Sequence, residues 1–216
     1  MTPLGQLVTV ASGVHVTTKI EDEGTGVPLV QLRDLGAQHL DLDGAARIAE
    51  PEPMPRDHHR IRPGDVLFGA RGVTRPAACV PDDVPDGAAA TSQMFILRVT
   101  DDRLDPAFLA WYLNTETARA FFEAYERGAV VRFVPKSVLT ELPVPLPPLD
   151  AQHALARAGR LARDAARLAH DAADRRAVLT EGLLLRAALA ASQQSADASA
   201  ASAAEAATDR LSSLLP

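Results

Sequence analysis

Five arginines lie between positions 56 and 75 (Arg56, Arg60, Arg62, Arg71 and Arg75), against only Asp57 and Asp65 in the same stretch. A guanidinium is a planar fork of donors that pairs with phosphate oxygens or with O6 and N7 of guanine. A second basic cluster, Arg127, Arg132 and Lys136 with Ser137, surrounds a glycine and a strand end. "SGVHVTTKI" (12–20) adds hydroxyls and Lys19 in a third loop, the chemistry that contacts backbone phosphates. A lone arginine merely solvates a loop. Two clusters in an otherwise acidic chain point to a binding face.

Other reactive residue types carry less. His58 and His59 stand beside Asp57, which raises a metal reading. Neighbouring side chains on a strand point to opposite faces, and the acidic and cysteine partners of a zinc motif are missing, so this is read as a polar loop between Pro55 and Pro63. "PDDVPDG" (81–87) uses the residues of any turn and is read as one. Cys79 is the single cysteine, which removes an intramolecular disulfide and a cysteine zinc site and leaves core packing. No Gly-rich phosphate loop, no Gly-x-Ser-x-Gly elbow and no Asn-Pro-Pro tetrad of amino-methyltransferases occurs. Without a nucleophile, base and orienter together, the expectation is a chain with no catalytic residue and no metal ligand.

The elements that must position these residues change character along the chain. "GQLVTV" (5–10), "VPLVQLR" (27–33), "DVLFGA" (65–70), "AACV" (77–80) and "QMFILRV" (93–99) read as strands between Gly, Pro and Asp clusters. Asp105 before Pro106 caps a helix through "PAFLAWYLN", and Thr115 begins a second helical run that Gly128 would end. "AVVRFV" (129–134) returns to strand, and "PKSVLTEL" makes a turn or short helix. "ELPVPLPPLDAQ" (141–152) then stiffens the chain with prolines, after which residues 151–191 are free of proline and read as one long helix. Leu161, Ala165, Leu168, Ala172 and Leu179 fall at spacings of four and three along it, an Ala-rich heptad seam suited to close approach of a partner helix. Forty residues of helix extend roughly 60 Å, about twice the width of a small domain, so the seam wants a partner. The Ala/Ser-rich tail from Gln193 is of low complexity, and composition leaves open whether it extends the helix.

Composition sets the outer bounds. The 216 residues allow one domain plus an appendage, 47% hydrophobic content is enough for a core, and aromatics stand at 4%. A formal net charge of −6 argues against a uniformly basic nucleic-acid binder but leaves local basic patches intact. "MTPLGQLVTV" has no basic segment and no long apolar run, and no stretch approaches the roughly 18 apolar residues of a membrane span. The expectation is a soluble cytoplasmic protein of α+β class.

The order of these pieces resembles the target-recognition half of type I restriction–modification specificity subunits. The matching stretches are "LGQLVTVASG", "VPLVQLRDL" (27–35), "IRPGDVLFGARG" (61–72), "ATSQMFILRV" (90–99), "LDPAFLAWYLNT" (104–115) and "VVRFVPKSVLTELPVPLPPLDAQ" (130–152). The last is the most specific: a proline-rich peg, an acidic residue and a Gln that close the recognition domain and open a long helix. The resemblance implies a β-rich recognition domain at 1–149, a helix at 150–192 acting as spacer and dimerisation arm, and the low-complexity tail at 193–216. It implies a non-catalytic subunit for phage defence that reads half of a split double-stranded DNA target. It implies docking to a DNA adenine methyltransferase, and often to a translocating nuclease. S-adenosylmethionine would belong to the methyltransferase, and this chain would bind no cofactor. Members commonly carry two recognition domains and two helices. One of each here implies a homodimer through the Leu161, Ala165, Leu168, Ala172 and Leu179 seam. The DNA face would comprise Thr17, Thr18, Lys19, Arg71, Arg75, Arg132 and Lys136, with Arg71, Arg75 or Arg132 reading a base and Lys19 and Lys136 touching phosphates. An adaptor that keeps the fold without reading DNA is the alternative, which the acidic charge favours.

Overall fold

A computed structural model describes residues 1–17, 19–49, 55–72, 74–125 and 133–212. Contacts divide the chain into two units, Met1–Arg163 and Asp164–Pro216. The first unit opens with β1 (Thr2–Pro3), β2 (Val8–Ser12), β3 (Val27–Val30), β4 (Leu35–Gly36), β5 (His39–Leu40) and β6 (Ala46–Ile48). Next come β7 (Val66–Gly69), β8 (Ala77–Cys79), β9 (Ala89–Ala90) and β10 (Met94–Val99). Helices α1 (Pro106–Leu113), α2 (Glu116–Tyr125) and α3 (Lys136–Glu141) follow, then β11 (Pro143–Val144) and the start of α4 (Leu149–Ser212). The class is α+β, with a long C-terminal helix.

Why the main strands read as nearly unbroken apolar runs is visible in the central sheet, ordered β2-β10-β7-β8 with antiparallel neighbours. Successive side chains on a strand point to opposite faces, and here both faces are buried. Phe95 and Leu97 of β10 join Val66 and Phe68 of β7 in one core, while Met94 and Ile96 join Leu67 in the other. Phe108, Leu109, Phe122 and Leu139 from the three short helices fill the first core. Phe68, Phe108 and Phe122 are at most 1% exposed, and each such burial contributes roughly 1.5–3 kcal/mol. Across the second core lies a smaller sheet, β6-β3-β9, in which β3 and β9 run parallel with Val30 opposite Ala90.

Several expected elements change their bounds for local reasons. "GQLVTV" divides into a 3-10 turn at Leu4–Gln6 and a strand that begins at Val8. The strand expected at 27–33 stops at Val30, because the Asp34 carboxylate takes the Gln31 backbone N–H (2.8 Å) and winds Leu32–Asp34 into a 3-10 turn. Asp105 does cap α1, its Oδ1 accepting from the Phe108 N–H at 2.7 Å. The Gly128 cap and most of the strand expected at 129–134 lie outside the described residues. The proline peg forms an edge ladder, the only sheet position proline tolerates well: β11 pairs antiparallel with β1, and the Leu4 N–H reaches the Leu142 carbonyl at 2.9 Å.

In the second unit the chain is helical from Asp164 to Ser212, so the Ala/Ser-rich tail extends the helix. Ala165, Leu168, Ala172 and Leu179 are all exposed there, as are Leu183, Leu184, Leu185 and Leu189. Leu161, at the end of the first unit, is 57% exposed.

Candidate nucleic-acid interface

Two polar clusters of the first unit are built in opposite ways. The first holds the opening four turns of α4 to the sheet domain. Gln152 is completely buried. Its Oε1 accepts from the Asp105 N–H (2.9 Å), and its Nε2 donates to the carbonyls of Arg103 (2.7 Å) and Pro147 (2.8 Å). Three turns on, Arg163 donates from Nε to Gln38 Oε1 (2.8 Å) and from Nη2 to the Asn114 carbonyl (3.1 Å). Burial, then the nearby Arg119 charge, lowers its pKa. The Asn114 side chain grips both backbone groups of Ala77 and the Ala110 carbonyl. Between these clamps a Cβ on Gly159 would lie 2.0 Å from Trp111 Cδ1, so only glycine lets the helix approach the indole this closely. Every polar atom of the Gln152 amide has a protein partner, and the cluster serves architecture.

The second cluster surrounds the loop after β2. A Cβ on Gly13 would come within 2.3 Å of the Thr91 carbonyl, so glycine here lets the chain lie directly on residues 90–92. The Val14 N–H donates to the Ala90 carbonyl and the Ser92 N–H to the Val14 carbonyl, both at 2.8 Å. This seats His15, Val16 and Ile20 on one side of a cleft of about 280 Å³ that Gln31, Arg71, Thr91 and Gln93 also line. His15 Nδ1 lies 3.3 Å from Ser92 Oγ. Arg71 is exposed, its guanidinium 5.4 Å from the centroid of the Phe133 ring and its backbone bridged to Phe133. A cation over an aromatic face is held without spending its N–H donors on an acceptor.

Two buried atoms of this cleft, Gln31 Nε2 and Thr91 Oγ1, have no hydrogen-bond partner among the described residues. The Asp34 N–H donates to the Gln31 backbone carbonyl (3.0 Å) while the Asp34 carboxylate accepts from the Gln31 N–H (2.8 Å). Burial pushes the Asp34 carboxyl above the usual carboxylate range. Leaving a buried donor or acceptor unpaired costs roughly 1–3 kcal/mol, and native proteins keep few such groups.

The expected site residues are dispersed. Thr17 and Lys19 are exposed on the loop after β2, Lys19 paired with Glu21. Arg71 joins the same cleft. Arg75 departs from its expected place in an exposed loop. Although Gly and Pro mark a turn there, the Gly69 N–H bonds the Pro76 carbonyl (2.8 Å) and the chain folds Arg75 inward, leaving it 4% exposed at φ 41°. Lys136 sits at the start of α3 with Nζ donating to the Val10 carbonyl (2.6 Å), which ties that helix to β2. Thr18 and Arg132 lie outside the described residues. His58 and His59 form an edge-to-face ring pair on a 3-10 turn, and Arg62 pairs with Asp57 at 2.8 Å. Among the described residues no group of three metal-ligating side chains occurs. The Cys79 thiol is pushed up to about 11, first by burial and then by Asp105, Asp82 and Asp65, so it is no nucleophile near neutrality. Sequence reasoning missed Gln31, Thr91, Ser92 and Gln93. Only the parallel pairing of β3 with β9 brings Gln31 beside Thr91.

No protein-family model matches the chain, and no curated protein matches it. Solved structures do. A chain from work on complex assembly and conformational transition of the type I restriction–modification system aligns at TM-score 0.53 and 21% identity, over 77% of this chain and 39% of that one. The HsdS subunit from Thermoanaerobacter tengcongensis aligns at 0.49 and 21%, over 76% and 36%, and the type I S subunit from M. genitalium at 0.45 and 10%, over 74% and 37%. The likeness at 0.53 shows the fold shared with that chain, a β-rich domain followed by a long helix. The chain spans well under half the length of the structures it matches.

Proposed function

We propose that this chain is the DNA-reading subunit of a type I-like methyltransferase or restriction complex and has no active site of its own. Its first unit would read half of a split duplex target. Its helix would pair with a second helix, in a homodimer or with a partner subunit, and the assembly would dock a DNA adenine methyltransferase that carries S-adenosylmethionine. The observation that carries the reading is the fold shared with a type I restriction–modification chain over 77% of this one. The cleft that gathers Arg71 and the loop after β2 supports it, because exposed guanidinium and amide donors are what base edges and phosphates require.

The helix part of the reading rests on the leucines. Leu168, Leu179, Leu183 and Leu189 are 57–68% exposed in the single chain, and a helix with so much apolar surface in water favours a partner helix. An adaptor that keeps the fold but does not read DNA is the second reading, favoured by the net charge of −6. Gel shifts with the full chain, alone and with the methyltransferase encoded beside it, on random-sequence and selected duplexes separate the two. Sequence-selective retention supports the specificity subunit, and no retention in either arm supports the adaptor.

A further inference from the structure

Arg71 and Phe133 come from distant parts of the chain and are brought together by the backbone. Residue 71 bridges residue 133 in antiparallel fashion, and the Val134 N–H donates to the Ala70 carbonyl at 2.9 Å. Both sides of this joint are anchored in the first unit. Ala70 and Val134 are each 1% exposed, and the Ala70 N–H reaches the Gln93 carbonyl at 3.0 Å. The half-buried Phe133 ring leans on Phe95, with 6.2 Å between centroids, and Phe95 belongs to the core of the central sheet. A ring fixed in this way is a platform.

The exposed Arg71 guanidinium sits 5.4 Å from the centroid of that ring. Among the described residues no hydrogen bond or ion pair engages it. An arginine offers two separate surfaces: the flat face of the guanidinium, which an aromatic ring attracts, and the edge, where the N–H donors lie in plane. Here the ring takes the face and leaves the edge free. Arginine also carries large rotamer freedom, and a fork that must search for its acceptors loses that freedom on binding. The stack restricts the search before any ligand arrives. Lys136, in contrast, spends its ammonium on the Val10 carbonyl, and Lys19 pairs with Glu21. Neither is held open in this way.

We propose that Phe133 is the positioning residue of Arg71: by stacking on the guanidinium it presents the N–H edge to a paired acceptor on the target duplex. A base edge and a phosphate share this chemistry. The inference rests on the DNA-reading function proposed above and adds to it a residue that acts through another.

The test measures affinities of the full chain with the methyltransferase encoded beside it, on a duplex selected from a randomised pool and on its scrambled counterpart. A double-mutant cycle combines Phe133→Leu with Arg71→Ala. Leucine keeps apolar packing against Phe95 and removes the aromatic face. Phe133→Leu should weaken binding of the selected duplex roughly two- to fivefold, the scale of an exposed cation–π contact, and have no effect once Arg71 is replaced. Phe133→Tyr keeps a ring and should bind as the wild type does. A loss confined to the selected duplex puts the fork on a base, an equal loss on both duplexes puts it on a phosphate, and each supports the positioning role. The same loss from Phe133→Leu with and without Arg71 means that the ring holds the fold or touches DNA itself, which overturns the proposal. So does a Phe133→Leu protein that binds as tightly as wild type. NMR of the free chain gives a check that needs no DNA: the Arg71 Nε–H resonance should shift in Phe133→Leu and move far less in Phe133→Tyr. An unmoved resonance in Phe133→Leu overturns the stack and leaves DNA reading standing. Retention of neither duplex by the wild type overturns the DNA-reading function and this inference together.

Discussion

Gln152 and Thr91 are both polar, both buried and both in the first unit, yet their surroundings are opposite. Around Gln152 every amide atom meets a backbone partner, and the result is a joint between the sheet domain and the first turns of α4. Around Thr91 the hydroxyl and the neighbouring Gln31 nitrogen meet none among the described residues. A satisfied polar cluster specifies architecture. An unsatisfied one lowers stability unless a water, an ion or a bound molecule supplies the missing partner.

Substitutions should separate the two clusters by sign as well as size. Gln152→Ala strands the Asp105 N–H and the carbonyls of Arg103 and Pro147, so it should lower unfolding free energy by about 3 kcal/mol or more in urea titrations. Gly159→Ala should cost about 1–3 kcal/mol, since the new methyl group must push Trp111 or the helix aside. Truncation should obey the same boundary. Ending the chain after Asp150 removes Gln152, Ala156 and Arg163 and should destabilise the first unit, whereas ending it after Arg163 should leave a cooperatively folding globule by circular dichroism. Thr91→Val, in contrast, removes an unpaired hydroxyl at nearly constant volume. Its unfolding free energy should stay within about 1 kcal/mol of wild type or rise.

The smallest effect belongs to Cys79. Its thiol, held near 11 by burial first, is protonated at pH 8. Iodoacetamide should therefore modify it far more slowly than a free thiol at that pH, with the rate climbing as pH approaches 11. Rapid modification at pH 8 in the folded protein would show that the site opens.

How much of this was legible in the sequence follows from how local each cause is. The strands of the central sheet announce themselves because burial on both faces makes "DVLFGA" and "QMFILRV" apolar throughout. Asp105–Pro106 and the proline-free run after the peg likewise carry their own start signals. The shortest strands, two or three residues each, hold too few positions for an alternation to show. Gln152 was visible as part of a motif, but its three partners come from residues 103, 105 and 147, which only folding assembles. Arg75 was misplaced because Gly and Pro report that a chain turns, not which way its side chains face. Gln31 and Thr91 left no trace at all, being neutral, sixty residues apart and joined only through the β3–β9 register.

On the proposed function, the cleft beside Arg71 reads DNA while the Gln152 joint builds the fold. This is tested most directly by the ratio of dissociation constants for the selected duplex and its scrambled counterpart, measured with Arg71→Ala in the assembled methyltransferase complex. The account predicts that this ratio falls roughly tenfold, the weight of one base contact, in a protein as stable as wild type. An unchanged ratio in that stable protein would contradict it.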